Sequence, residues 1–104
     1  MENVEIYGNI ASNSLNGCTN LKNVKIGKNV TLSGAFNSCT INGNVEIDTG
    51  CSISNCFNSL QFPTGGNITI KNNTNIYSSF NGAKGYNNLY IDGIIQSQSF
   101  ASNS

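Results

Sequence analysis

The sequence predicts a mainly β chain, a single parallel β-solenoid of about five turns of 20–23 residues each. Three observations carry this reading. A short alternating motif that opens on Asn returns at a nearly fixed interval, and an aromatic position follows it in phase. The stretches between are rich in Gly, Asn and Ser and show no helical period of useful length.

The units start near residues 3, 23, 44, 67 and 88, so successive starts differ by 20, 21, 23 and 21 residues. The opening motifs are Asn3-Val4-Glu5-Ile6, Asn23-Val24-Lys25-Ile26, Asn44-Val45-Glu46-Ile47, Asn67-Ile68-Thr69-Ile70 and Asn88-Leu89-Tyr90-Ile91. Alternation rich in Val and Ile reads as a short strand with one buried face. A second apolar pair follows at Val30/Leu32 and Cys51/Ile53, and less cleanly at Ile76, and reads as a second extended segment. Gly27-Lys28-Asn29, Thr49-Gly50 and Asn72-Asn73 separate the two with residues that tolerate positive φ. Leu15, Phe36, Phe57, Phe80 and Phe100 then share one position, followed by Asn16, Asn37, Asn58, Asn81 and Ala101. Each unit is therefore one coil, stacked so that equivalent strands pair in parallel at ~4.8 Å. In the end units, Ala11-Ser12-Asn13-Ser14 and Gln96-Ser97-Gln98-Ser99 put polar residues at apolar positions. They read either as partial caps or as the edge of a longer array.

The 104 residues form a single repeat domain, 1–104. Leu, Ile, Val and Phe make 26 residues and the net charge is zero, a balance that argues against disorder. Charged residues are 10%, and 20 Asn and 13 Ser take their place, with no Arg and no His. A neutral, Arg-free surface lacks the basic patch of a nucleic-acid binder, so no nucleic-acid partner is expected. It also lacks a cationic amphipathic helix, and no apolar run approaches the ~20 residues of a spanning helix, so no membrane insertion is expected. The chain enters its first unit at once, and no signal peptide is visible. No cofactor or metal is expected, since Cys51 and Cys56 have four residues between them and no His is present.

In a stack, equivalent positions form columns. The outward strand column is Glu5, Lys25, Glu46, Thr69, Tyr90, and the column after the second Ile is Tyr7, Gly27, Asp48, Lys71, Asp92. Both place a Lys between carboxylates, which favours this register. It also gives Glu5, Glu46, Asp48 and Asp92 structural partners, leaving no free carboxylate pair for general acid–base work. With no base near a Ser or Cys, a non-enzymatic chain is expected. The Asn columns read as amides bonded along the stack, or as a face for sugar or peptide; the first reading is preferred because these positions flank apolar residues. Cys18 and Cys39 share a column with Leu60 and Ala83, Cys56 aligns with Ala35 and Ser79, and Cys51 takes a Val position. All read as small core slots with free thiols, although stacked Cys can approach disulfide distance. Lys25, Glu46, Thr69 and Tyr90 form the candidate ligand face.

The run Ile26-x-x-x-Val30-x-Leu32-x-x-Ala35-Phe36-x-x-Cys39, preceded by Cys18-Thr19-Asn20-Leu21, resembles the BspA-like leucine-rich repeat. The likeness thins to Phe57-Asn58-Ser59-Leu60 and Phe80-Asn81-Gly82-Ala83, and the Pro that usually follows the strand is absent. The resemblance implies a leucine-rich-repeat-like scaffold, and a place on a cell surface, in the extracellular space or on a virion. It implies an adhesion or interaction module of a bacterial surface or phage-associated protein, binding a host protein or glycan. A structural spacer that self-associates end to end through its terminal repeats is the alternative.

Overall fold

The computed structural model describes residues 2–10 and 14–101. Its elements are β1 (Glu2–Ile6), β2 (Leu21–Ile26), β3 (Thr31–Ser33), β4 (Val45–Ile47), β5 (Ser52–Ser54), β6 (Asn67–Ile70), β7 (Asn75–Tyr77), β8 (Asn88–Ile91) and β9 (Ile94–Ile95). They form two wholly parallel sheets, ordered β1-β2-β4-β6-β8 and β3-β5-β7-β9. Every neighbour in a sheet comes from the adjacent unit, which makes the chain a parallel β-solenoid. A third side closes through single parallel bridges, Leu21 with Ile41, Thr40 with Gln61 and Gln61 with Lys84. Among the described residues no helix forms, so none is long and apolar enough to cross a membrane.

The register is the one the columns predict. Glu5 pairs with Lys25, Lys25 with Glu46, Glu46 with Thr69 and Thr69 with Tyr90. Among the described residues the stack makes about four turns, close to the five expected. Four units carry both strands, whereas the first contributes β1 alone among the described residues. There Asn9 Oδ1 accepts from the Thr31 N–H at 3.0 Å. Of the polar end segments, Ala11, Ser12 and Asn13 lie outside the described residues. Gln96 bonds back to Asn75 Oδ1 at 2.8 Å, and Ser97 meets Ser78 at 3.1 Å.

The core is a set of stacked columns. Val24, Val45 and Ile68 form one and Ile26, Ile47 and Ile70 another, all at most 1% exposed. Leu32, Ile53 and Ile76 face them from the second sheet, likewise buried. Phe36, Phe57, Phe80 and Phe100 stack with centroids 5.0, 4.9 and 4.9 Å apart and rings within 5° of parallel. Rung spacing and ring-stacking distance coincide, so one column satisfies both.

Stacking these rings has a backbone cost. Leu15, Phe36, Phe57, Phe80 and Phe100 all sit at φ between 58° and 60°, the left-handed region that bulky residues avoid. The residue two positions on is left-handed as well: Gly17, Ser38, Ser59 and Gly82 at φ 70°, 59°, 59° and 71°. The corner therefore reverses sharply twice, and the Asn between the two reversals holds it. Asn37, Asn58 and Asn81 each accept the next rung's backbone N–H on Oδ1, at 2.9, 2.8 and 2.9 Å. Each also donates through Nδ2 to the carbonyl of Asn55, Ser78 or Gln98. The preference for a structural Asn column holds here. Asn3, Asn23 and Asn44 run a second ladder at the strand starts, their Oδ1 atoms accepting from the backbone N–H of Asn23, Asn44 and Asn67.

Candidate functional site

Lys25, Glu46, Thr69 and Tyr90 stand on β2, β4, β6 and β8, four consecutive rungs of one outward column. They alternate with inward residues, so the same pleat that buries Val24 and Ile26 turns Lys25 to solvent. The column spans roughly 14 Å at the spacing of parallel strands. Tyr90 is 55% exposed on the last rung, and Thr69 is half-buried between Glu46 and Tyr90.

An open groove of about 360 Å³ runs along the first three rungs of this face. Asn3, Asn23 and Asn44 form one side, Glu5, Lys25 and Glu46 the other, with Val4 and Val24 between them. The groove thus takes in Lys25 and Glu46 and stops short of Thr69 and Tyr90. Sequence reasoning weighs these Asn columns as a face for sugar or peptide but prefers their ladder role. The signal was present, since an Asn that opens every unit must edge the same face as the strand column.

The charges pair less completely than the columns suggest. Lys25 Nζ lies 3.8 Å from Glu46 Oε2, and Lys71 Nζ lies 3.5 Å from the same oxygen and 3.9 Å from Asp48 Oδ1. Lys71 therefore reaches across from its own column to Glu46. Glu5 is instead engaged by the Tyr7 hydroxyl, and no ion pair forms at Asp92 among the described residues. These contacts are long and, apart from Asp48, exposed, so they hold the side chains of Lys25, Glu46 and Lys71 only loosely. Asp48 is held below the ordinary 3.8 of its carboxyl, first by the Thr49 backbone N–H at 2.7 Å and then by Lys71, against the opposing effect of burial.

Comparison with protein-family models, curated proteins and solved structures finds no match. What the face can do is therefore read from its chemistry. It offers amide donors and acceptors, both signs of charge and one exposed phenol ring, in a shallow, open setting.

Other polar and aromatic side chains are engaged within the stack. Asn29 and Asn55 occupy left-handed turn positions at φ 60° and 53°. Asn72 Oδ1 accepts from the Thr49 hydroxyl, Asn75 Oδ1 accepts from Gln96, and Asn42 donates to the Leu21 carbonyl. Tyr86 packs edge-on against Phe62 at 6.2 Å. All four cysteines are free thiols. Cys39 and Cys51 are buried, and burial is the main cause that pushes the Cys39 thiol up to about 11. Cys51 donates its thiol to the Gly27 carbonyl at 2.9 Å. Among the described residues no group of three His, Cys, Asp or Glu is placed to hold a metal ion.

Proposed function

We propose that this chain is a non-enzymatic interaction module that adheres to a host protein or glycan through the outward face of its first sheet. The observation that carries this reading is the groove in which an amide row faces the alternating Glu5, Lys25, Glu46 row. Amides and loosely paired charges bind hydroxyls and peptide groups by hydrogen bonding, and their open setting accepts an extended chain rather than an enclosed small molecule. Tyr90, two rungs beyond the groove, supplies a ring on which a sugar or an apolar side chain can rest. The carboxylates of the face sit beside lysines and a tyrosine, which favours binding over catalysis. The BspA-like resemblance points the same way and favours a bacterial surface, the extracellular space or a virion as the setting.

The test is binding of the labelled chain to a panel of glycans and extracellular-matrix proteins, beside a Lys25→Gln, Glu46→Gln double variant and a Thr69→Ala, Tyr90→Ala double variant. Circular dichroism confirms that both remain folded. Saturable binding by the parent that weakens roughly tenfold or more, about 1.4 kcal/mol, in either folded variant supports the reading. Absence of binding across the panel, or equal binding by all three proteins, rejects it.

A second reading, a structural segment that stacks end to end, is favoured by one observation. Ile91, Ile94 and Ile95 on the outermost strands β8 and β9 are 36%, 52% and 42% exposed. Sedimentation run on the same samples separates the two, since a stacking segment gains mass with concentration whether or not its strand face is altered.

A further inference from the structure

We infer that Cys18 and Cys39 form a redox site in which a disulfide between neighbouring rungs staples the first turn of the solenoid to the second. The two residues occupy equivalent positions on adjacent rungs. The Gly17 N–H donates to the Asn37 carbonyl at 2.8 Å, and the Thr40 N–H donates to the Cys18 carbonyl at 2.9 Å, so the backbone bonds flank the pair on both sides. Adjacent parallel strands hold equivalent Cα atoms at ~4.8 Å, inside the ~4.4–6.8 Å that a disulfide spans. The Cys39 sulfur already points down the stack, because its thiol donates to the carbonyl of Leu15 on the rung of Cys18 at 3.1 Å. The other two thiols have no such neighbour. Cys51 stands between Val30 and Thr74, and Cys56 between Ala35 and Ser79.

Exposure sets the order of the chemistry. Cys18 is half-buried and Cys39 fully buried, so a soluble disulfide such as oxidised glutathione meets Cys18 first. The Cys18 thiolate attacks one glutathione sulfur and expels a glutathione thiolate. Cys39 then gives its proton to solvent, attacks the Cys18 sulfur and releases the second glutathione. The protein loses two thiol hydrogens and two electrons, and the glutathione disulfide gains them. The staple lands at one end of the stack, where the core is thin: Val4, Ile6 and Ile10 of the first turn are only partly buried and Leu15 is 37% exposed.

The experiment is oxidation of the reduced chain with a glutathione redox buffer, followed by alkylation, intact mass and peptide mapping with trypsin and a Glu/Asp-directed protease; Lys22, Lys25 and Lys28 separate Cys18 from Cys39, and Glu46 and Asp48 separate Cys39 from Cys51 and Cys56. The expected product has two alkylatable thiols of the original four, carries no glutathione, and yields one linked peptide pair joining Cys18 to Cys39. Its thermal midpoint rises by about 10 °C over the reduced form. A Cys51→Ser, Cys56→Ser variant forms the same bridge, and a Cys39→Ser variant stops at the mixed disulfide on Cys18. Retention of four thiols, a stable glutathione adduct on the parent chain, or a linkage to Cys51, Cys56 or a second molecule overturns the proposal.

Discussion

The sulfur of Cys56 stands in a column of hydroxyls. Ala35 N–H donates to Cys56 Sγ at 3.3 Å, Cys56 N–H to Ser79 Oγ at 3.0 Å and Ser79 N–H to Ser99 Oγ at 3.0 Å. Each of these side chains in turn donates to the carbonyl two residues before it: Ser54, Tyr77 and Ser97. The sequence reading of this position as an apolar slot is therefore corrected. It is small and buried, but it acts as a polar relay, and Ser79 and Ser99 in the same column were the available sign. Thr74 does the same in the Cys51 column, accepting from Cys51 N–H and donating to the Asp48 carbonyl. With these relays in place no buried side-chain N or O lacks a partner among the described residues. Cys56→Ser keeps both bonds and should change stability by less than ~1 kcal/mol, whereas Cys56→Ala strands the Ala35 N–H and should cost about 1–3 kcal/mol. Urea unfolding midpoints of the two variants against the parent measure the difference.

The element that repeats most faithfully is the corner, in which a left-handed Phe and a left-handed Ser or Gly flank a bonded Asn. A left-handed Phe costs roughly 1–2 kcal/mol in backbone strain. Ring stacking and full burial of Phe57 offset that cost, as do the two bonds made by Asn58. Phe57→Ala keeps the strain and loses the burial, and should destabilise the chain by ~3–5 kcal/mol. Phe57→Leu should cost distinctly less, because Leu15 already occupies the same column at φ 58°. Chemical denaturation followed by circular dichroism ranks the two. Glycine matters at one close approach: a Cβ on Gly66, at φ 145°, would meet the carbonyl oxygen of Gly43 on the rung below.

Across the whole molecule, stability follows position in the stack. A rung with neighbours on both sides has every column covered twice; an end rung has one side open. The core residues of β2, β4 and β6 are buried, while Val4 and Ile6 of β1 and Leu89 of β8 are only partly so. Backbone amides of β4 and β6 should accordingly exchange with solvent roughly tenfold or more slowly than those of β1 and β9. Native-state hydrogen exchange resolved by residue tests this, and uniform protection along the stack would contradict it.

The fold class, the strand columns and their register were legible because stacking imposes the same demand on the same position of every unit. Val24, Val45 and Ile68 must all be apolar if any one is, and Lys25 beside Glu46 reports the pairing directly. Half of the groove was legible for the same reason, through the strand column that carries Lys25 and Glu46. What only the tertiary structure decided is the path of the chain around each turn. The third bridged side, the double left-handed corner and the reach of Lys71 to Glu46 all depend on the sign of φ and the direction of side chains at a few positions. Those choices are made by contacts between rungs, and a residue such as Phe57 would refuse its conformation anywhere else. Periodicity along the axis is written in residue type, and the route around it is settled by packing.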